Sequence, residues 1–359
     1  MSFKSKSLNS PVLSRSAKML NKVIVVDGMI GGGKNLVSII ASSLPKVEMW
    51  CHKVEIEHIC ALNYLGHISL NGAKTLIQTW VDEEFFNLSM SRNTNFRPSD
   101  YSSMFHYVKP LKYLKRLFED KSKAIDRVSK EKPALNLMTH VNTHYSEPIF
   151  EALGERLIYI RVTRHPLTTY MLKHNIRWTE RWGKENRDTQ LLYEVQDENL
   201  NLVNLPFCAK DFGKKYLNAN STDRTILLFN EWIRKSDIFI DDIKKTTKAK
   251  IIEIPFEKFV FQPNDYVKEI ALSLGVELNK ATLKMMRRQK VPRKSLTDAP
   301  NSKSFKKLGW EKPKKILSLK EEFKEGRDFV KKDASPKALS VLDNLAKYYE
   351  SRNDLKIVS

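Results

Sequence analysis

Between Val23 and Pro45 the chain reads VIVVDGMIGGGKNLVSIIASSLP, and this stretch restricts the possible fold more than any other. Val23 to Val26 is a continuous β-branched run, the pattern of a parallel strand covered on both faces. Gly28, Gly31, Gly32 and Gly33 follow at once, and the missing Cβ atoms let backbone N–H groups converge on an anion. Lys34 completes G-x-x-x-x-G-K, while Leu36, Val37, Ile39, Ile40 and Leu44 give the next segment a helical apolar stripe. Strand, glycine turn and helix in this order point to a phosphorylated ligand; a glycine turn with no ligand is the bland alternative. Asn35 stands where a magnesium-nucleotide loop carries a Ser or Thr hydroxyl, which weakens a Mg-nucleotide assignment.

Three further apolar runs read as strands of the same sheet: Ala134 to Met138, Leu157 to Val162 and Lys250 to Ile254. Each leads into a polar turn and then helical periodicity, so the expected fold is α/β, three layers, with a central parallel sheet flanked by helices. Residues 51–130 are helix-like, with apolar positions at helical spacing in Trp80 to Phe86 and Leu111 to Phe118, and form a helical insertion. Residues 291–315, with Pro292, Pro300, Pro313 and many lysines, read as an irregular connector, and Lys337 to Ser351 as a packing helix. The expected organisation is a basic extension over 1–22, an α/β domain over 23–290 with the insertion 51–130, and a basic connector with C-terminal helices over 291–359 packing on the same domain.

Ligands in open sheets of this class bind beyond the carboxyl ends of the strands. The second run ends in Thr139-His140 and the third in Thr163-Arg164-His165-Pro166, which brings His140 and Arg164 to the same rim as Lys34. Taken singly, His140 reads equally well as a structural imidazole and Arg164 as a surface ion pair; their joint placement favours an anionic transfer site.

The formal charge of +20 is concentrated at two places. Residues 1–22 carry five cations and no acid, and residues 280–320 hold 14 Lys/Arg against Asp298 and Glu311. Three readings fit: a nucleic-acid-binding surface, a solvated tail, or a basic flap over an anionic cofactor. No apolar run approaches a membrane span, and the N-terminus lacks a signal-peptide core, so a soluble cytoplasmic protein is expected. Cys51, Cys60 and Cys208 form no C-x-x-C pair and suggest neither a disulfide framework nor a zinc knuckle.

In three places the chain resembles the sulfotransferase family. GMIGGGKNLVSIIASSLP looks like its 5′-phosphosulfate loop, LIYIRVTRHPLTTYMLKH like its 3′-phosphate strand and helix, and IIEIPFEKFVFQPNDYVKEIALSLGVELN like its Tyr-Glu-Asp-Leu strand and following helix. LMTH is similar to the strand that delivers a catalytic His in the cytosolic branch, and SKSFKKLGWEK loosely resembles the basic flap that closes on the cofactor. The resemblance spans residues 23 to about 280 and departs at Gly31 and Lys34, where the family has Lys or Arg and Thr, at His165 for Asp or Asn, and at Leu172 for Ser. Lys173 and Thr168 are the available substitutes for that Ser.

The resemblance implies a P-loop fold and sulfuryl transfer from 3′-phosphoadenosine 5′-phosphosulfate to a hydroxyl or amine of an unidentified small-molecule or glycan acceptor. His140 is then the base, and Lys34 with the amides of Gly32 and Gly33 stabilises the leaving phosphate oxygen. Gly28, Gly31, Gly32, Gly33, Lys34, Asn35 and Leu36 form the loop, with Arg164, Lys173, Lys306 and Lys307 toward the 3′-phosphate. This chemistry needs no metal, and nucleic acid is not the expected partner. One alternative is a nucleotide or nucleoside kinase, since VVDGMIGGGKN also resembles the loop of deoxynucleoside kinases and Arg177, Arg181 and Arg187 would serve as lid arginines. A nucleic-acid-binding protein with a degenerate phosphate loop is the other.

Overall fold

The computed structural model describes residues 12–15, 18–184, 191–196, 201–300 and 315–355. Among these, seven strands are present: β1 (Val23–Gly28), β2 (Cys51–His52), β3 (Leu135–Met138), β4 (Leu157–Thr163), β5 (Leu192–Gln196), β6 (Leu202–Pro206) and β7 (Lys250–Pro255). Five form one sheet in the order β2, β3, β1, β4, β7, with every neighbouring pair parallel. The four apolar runs of the sequence are its four longer strands. The edge strand β2 and the antiparallel hairpin of β5 and β6 were not anticipated. Two residues are too few to show a period, and the hairpin is largely solvent-facing, so neither leaves a continuous apolar run.

β1 lies at the centre, Val23 pairing with Leu135 on one side and Leu157 on the other. Because successive side chains alternate across a strand, Val23, Val25, Leu135, Leu137 and Tyr159 enter one apolar layer while Ile24, Val26, Ile158, Ile160 and Ile252 enter the other. Both faces are therefore buried, which is why these strands read as unbroken apolar runs. Helices α1 (Lys34–Ser42), α2 (Val54–Tyr64), α3 (Leu70–Ser89), α4 (Pro110–Arg116), α5 (Lys121–Glu131), α6 (Glu147–Leu153), α7 (Thr169–Arg181), α8 (Gly213–Leu217) and α9 (Ser221–Thr246) follow in chain order. After β7 come α10 (Phe256–Phe261), α11 (Pro263–Ser273), α12 (Lys280–Arg288), α13 (Leu319–Val330) and α14 (Pro336–Arg352).

α13 and α14 dock beside the exit of β4 through His165. Its ring stacks on Phe323 at 3.7 Å and its Nε2 lies 3.0 Å from Glu350 Oε1, while Tyr349 donates to Glu257 at 2.8 Å. Gly326 of α13 passes so close to Leu167 that a Cβ would overlap the Leu167 carbonyl. His165, a departure from the sulfotransferase pattern, thus anchors the C-terminal helices.

Helix α4 is pinned beside the sheet by one buried carboxylate, that of Glu48, whose own backbone N–H donates to Ala134 O. Glu48 accepts from Lys112 Nζ (2.9 Å), Tyr113 OH (2.6 Å) and both terminal nitrogens of Arg116 (2.9 Å each). Burial alone would raise the Glu48 pKa, but Lys112 and Arg116 hold it down to about 2. The pairing therefore contributes fully above the ordinary glutamate value of 4.5 and is lost as pH falls through about 2. Glu48→Gln is expected to cost about 3–5 kcal/mol at neutral pH, since it strands the buried Arg116 and the half-buried Lys112. It is also expected to flatten the decline of the urea midpoint between those pH values; equal slopes in parent and variant would contradict this assignment.

Candidate functional site

The glycine turn between β1 and α1 is shaped by what surrounds it. A Cβ on Gly28 would overlap the Val162 carbonyl of β4, and one on Gly33, at φ +105°, would overlap the Phe256 ring of α10. Gly33 is the N-cap of α1 and no side chain caps the helix, so the amides of Gly33, Lys34 and Asn35 have no intrahelical partner. A helix end of this kind is suited to an anion. Gly32 N donates to Met29 O at 3.0 Å, so its amide, expected to face a ligand, closes the turn instead.

Lys34 also differs from expectation. Its ammonium turns under the loop and donates to the carbonyls of Gly28 (2.6 Å) and Met29 (2.8 Å), and the side chain is buried. Burial lowers its pKa to about 8 against the opposing pull of Asp27 and Glu57. Lys34 therefore braces the turn and keeps one of its three N–H bonds for another acceptor. Asp27, the last residue before Gly28, is fully buried and accepts from Thr139 Oγ1 (2.9 Å), Thr143 Oγ1 (2.5 Å) and Asn142 N (3.2 Å).

Beside the turn lies a cavity of about 400 Å³ lined by Gly31 to Leu36, His140 and Arg164, residues read from the sequence as one rim. Arg164 donates to Gly31 O at 2.9 Å, sits 4.2 Å above the centroid of the Phe256 ring and has a buried Nε with no partner. Arg293 also lines the cavity, 5.6 Å from the same ring centroid, with its own Nε buried and unpartnered. Burial, reinforced by Arg164, lowers the Arg293 pKa to about 10. Among the described residues neither arginine forms an ion pair with a carboxylate, so two cations, Arg164 buried and Arg293 half-buried, face one space.

His140 enters from the turn after β3. Its backbone N–H donates to Glu57 Oε1 at 2.8 Å, and its Nδ1 lies 3.2 Å from the same oxygen and 3.0 Å from His52 Nε2. Burial, aided by Lys34, lowers the His140 pKa to about 4 despite Glu57. The next residue, Val141, holds a left-handed φ of +53°, strained for a β-branched side chain. His174 of α7 lines the same cavity with a buried, unpartnered Nδ1.

Other expected residues lie elsewhere. Gly28 does not line the cavity; its carbonyl is taken by Lys34. Lys173 points away, its ammonium 5.3 Å from the centroid of the Phe329 ring, because the spacing of α7 turns His174 and Trp178 toward the cavity and Met171 against Gly31 instead. Thr168 Oγ1 is spent on His165 O, and Leu172 is core. Lys306, Lys307, Gly309, Trp310 and Arg187 fall outside the described residues. Arg293 was masked in the sequence by the surrounding basic run, and His52 and Glu57 by their distance from His140. The three-, four-residue spacing of Met171, His174 and Trp178 was the available signal for His174.

No protein-family model matches the chain, and no curated protein matches it in sequence. Among solved structures it is similar to the sulfotransferase domain of the Synechococcus PCC 7002 olefin synthase, with 12% identity and a TM-score of 0.42 over 94% of this chain and 98% of that one. It is also similar to the sulfotransferase domain from the curacin biosynthetic pathway, with 10% identity and a TM-score of 0.44 over 95% and 100%. A third is the sulfotransferase STF9 from Mycobacterium avium, with 12% identity and a TM-score of 0.39 over 95% and 79%. No helix of the described residues is long and apolar enough to cross a membrane.

If the Gly33 backbone is what opens the anion-binding helix end, Gly33→Ala should lower stability by about 1–3 kcal/mol, through overpacking against Phe256 and a strained φ. An unchanged urea midpoint would show that the turn is not built this tightly.

Proposed function

We propose that the chain is a sulfuryl transferase that uses 3′-phosphoadenosine 5′-phosphosulfate and a hydroxyl or amine acceptor. The observation that carries this reading is the convergence on one cavity of uncapped helix amides, two arginines without carboxylate partners, and a histidine held by a buried glutamate. The orphaned Nε atoms of Arg164 and Arg293 and the open end of α1 suit two separate anionic groups. The amides of Gly33, Lys34 and Asn35 with the free N–H of Lys34 would hold the 5′ end, and Arg164 with Arg293 the 3′-phosphate. When bound, this donor supplies the sulfuryl group and a phosphate leaving group.

His140 serves as the proton acceptor. Glu57 takes its backbone N–H and touches its Nδ1, fixing the ring at the cavity edge, so an acceptor hydroxyl need only approach the imidazole. The helix amides and Lys34 counter the charge that develops on the leaving oxygen. A Mg-nucleotide phosphoryl transfer is less well served: Asn35 replaces the metal-side hydroxyl, Asp27 is consumed by Thr139, Asn142 and Thr143, and Glu322 is the sole carboxylate among the described cavity-lining residues.

Arg164→Ala and Arg293→Ala should each weaken adenosine 3′,5′-bisphosphate by about 1.5–3 kcal/mol, the worth of a charge-assisted hydrogen bond, and adenosine 5′-monophosphate far less. Calorimetric titration with both nucleotides measures this, and equal losses would remove the 3′-phosphate assignment. His140→Asn should leave bisphosphate affinity intact and reduce turnover roughly 10²- to 10⁴-fold once an acceptor is found. Full turnover in that variant would remove His140 from the chemistry.

A further inference from the structure

His52, Glu57 and His140 come from three separate places: the edge strand β2, the first turn of α2 and the turn after β3. Their ligand atoms nevertheless form a nearly equilateral triangle. His52 Nε2 lies 2.9 Å from Glu57 Oε1, His140 Nδ1 lies 3.2 Å from that oxygen, and the two ring nitrogens are 3.0 Å apart. The rings meet at an interplanar angle of 86°, so the two nitrogens approach from different directions.

Hydrogen bonds alone do not account for this triangle. A neutral imidazole carries one N–H, and if both nitrogens donate to Glu57 Oε1 they set two N–H groups against each other at 3.0 Å. If one is unprotonated, its lone pair has no proton aimed along at least one short side. The same oxygen already accepts the His140 backbone N–H at 2.8 Å. A cation resolves the conflict. Tetrahedral zinc with bonds of about 2.0–2.1 Å places its ligand atoms about 3.3 Å apart, so an ion roughly 1 Å above the plane of these three atoms reaches all of them with little adjustment.

We propose that His52, Glu57 and His140 form a binding site for a zinc-class divalent cation at the edge of the anion cavity. Two imidazoles and one carboxylate favour zinc, cobalt or nickel over magnesium or calcium, which prefer all-oxygen sets. The ion takes the lone pair of His140 Nδ1, so occupancy withdraws that imidazole from proton transfer. The site is therefore inhibitory, a consequence that rests on the transferase reading, whereas the binding itself does not. The ion is separate from the transfer chemistry, for which the sequence reading expects no metal. The Lys34 charge, which acts on His140, opposes binding and limits its strength.

The test uses the full chain stripped with a chelator and dialysed. Titration calorimetry with zinc should give one site per chain, and cobalt should produce the visible absorption of a tetrahedral complex; magnesium should give neither. His52→Ala, at an exposed position where folding is not at risk, should weaken zinc at least tenfold. Glu57→Gln should do likewise, with circular dichroism to confirm that the buried site still folds. No stoichiometric zinc binding in the parent, or equal affinity in parent and His52→Ala, overturns the proposal. Adenosine 3′,5′-bisphosphate titrated into the same preparations separates the two readings: zinc binding without bisphosphate binding leaves the metal site and removes the transferase, and the reverse leaves the transferase alone.

Discussion

Asp27 is wholly buried at the end of the central strand, where an isolated carboxylate would be costly, and it survives there by accepting from Thr139, Asn142 and Thr143. Those three residues bracket His140 in the chain. The turn that carries the imidazole is thereby tied to the turn that carries the glycines, and the Gly28 carbonyl accepting Val141 N at 3.1 Å adds a second link. Burial raises the Asp27 pKa, and the Lys34 charge and these hydrogen bonds work against that rise. The left-handed Val141 is affordable because both its flanks are held. Remove the carboxylate and the turn that carries His140 loses three of its ties to the end of β1, while Lys34 loses the charge that offsets its burial.

The opposite wall is built by packing and by charge together. Phe256 fills the space that the missing Gly33 side chain leaves and offers its ring to Arg164 and Arg293, so the same aromatic that demands the glycine also positions the cations. Behind Arg164, His165 holds α13 and α14 against the body of the domain. A chain segment that looks peripheral in sequence is in this way part of what keeps the cation wall in place.

Much of this was legible in the residues because it is local. The parallel strands announce themselves as doubly buried apolar runs, and the rule that ligands gather at their carboxyl ends was enough to unite Lys34, His140 and Arg164. What was not legible is long-range or directional. Sequence spacing could not show that Lys34 bends back onto Gly28 and Met29, that the Gly32 amide closes its own turn, or that Lys173 packs over Phe329. The meeting of His52 and Glu57 with His140 depends on contacts between segments more than 80 residues apart, and Arg293 is brought in by packing over Phe256 of α10, neither of which a local pattern encodes.

The central claim is that the cavity is shaped for an adenosine carrying anions at both its 5′ and 3′ positions. The most direct measurement is a thermal-shift and calorimetric titration of the full chain with adenosine 3′,5′-bisphosphate, and with ATP in the presence and absence of magnesium. Binding to the folded state stabilises by RT ln(1 + [L]/Kd), about 2.7 kcal/mol at a hundredfold excess over Kd. The account predicts such stabilisation by the bisphosphate without any divalent ion; a chain that ignores the bisphosphate and responds to ATP only with magnesium would contradict it.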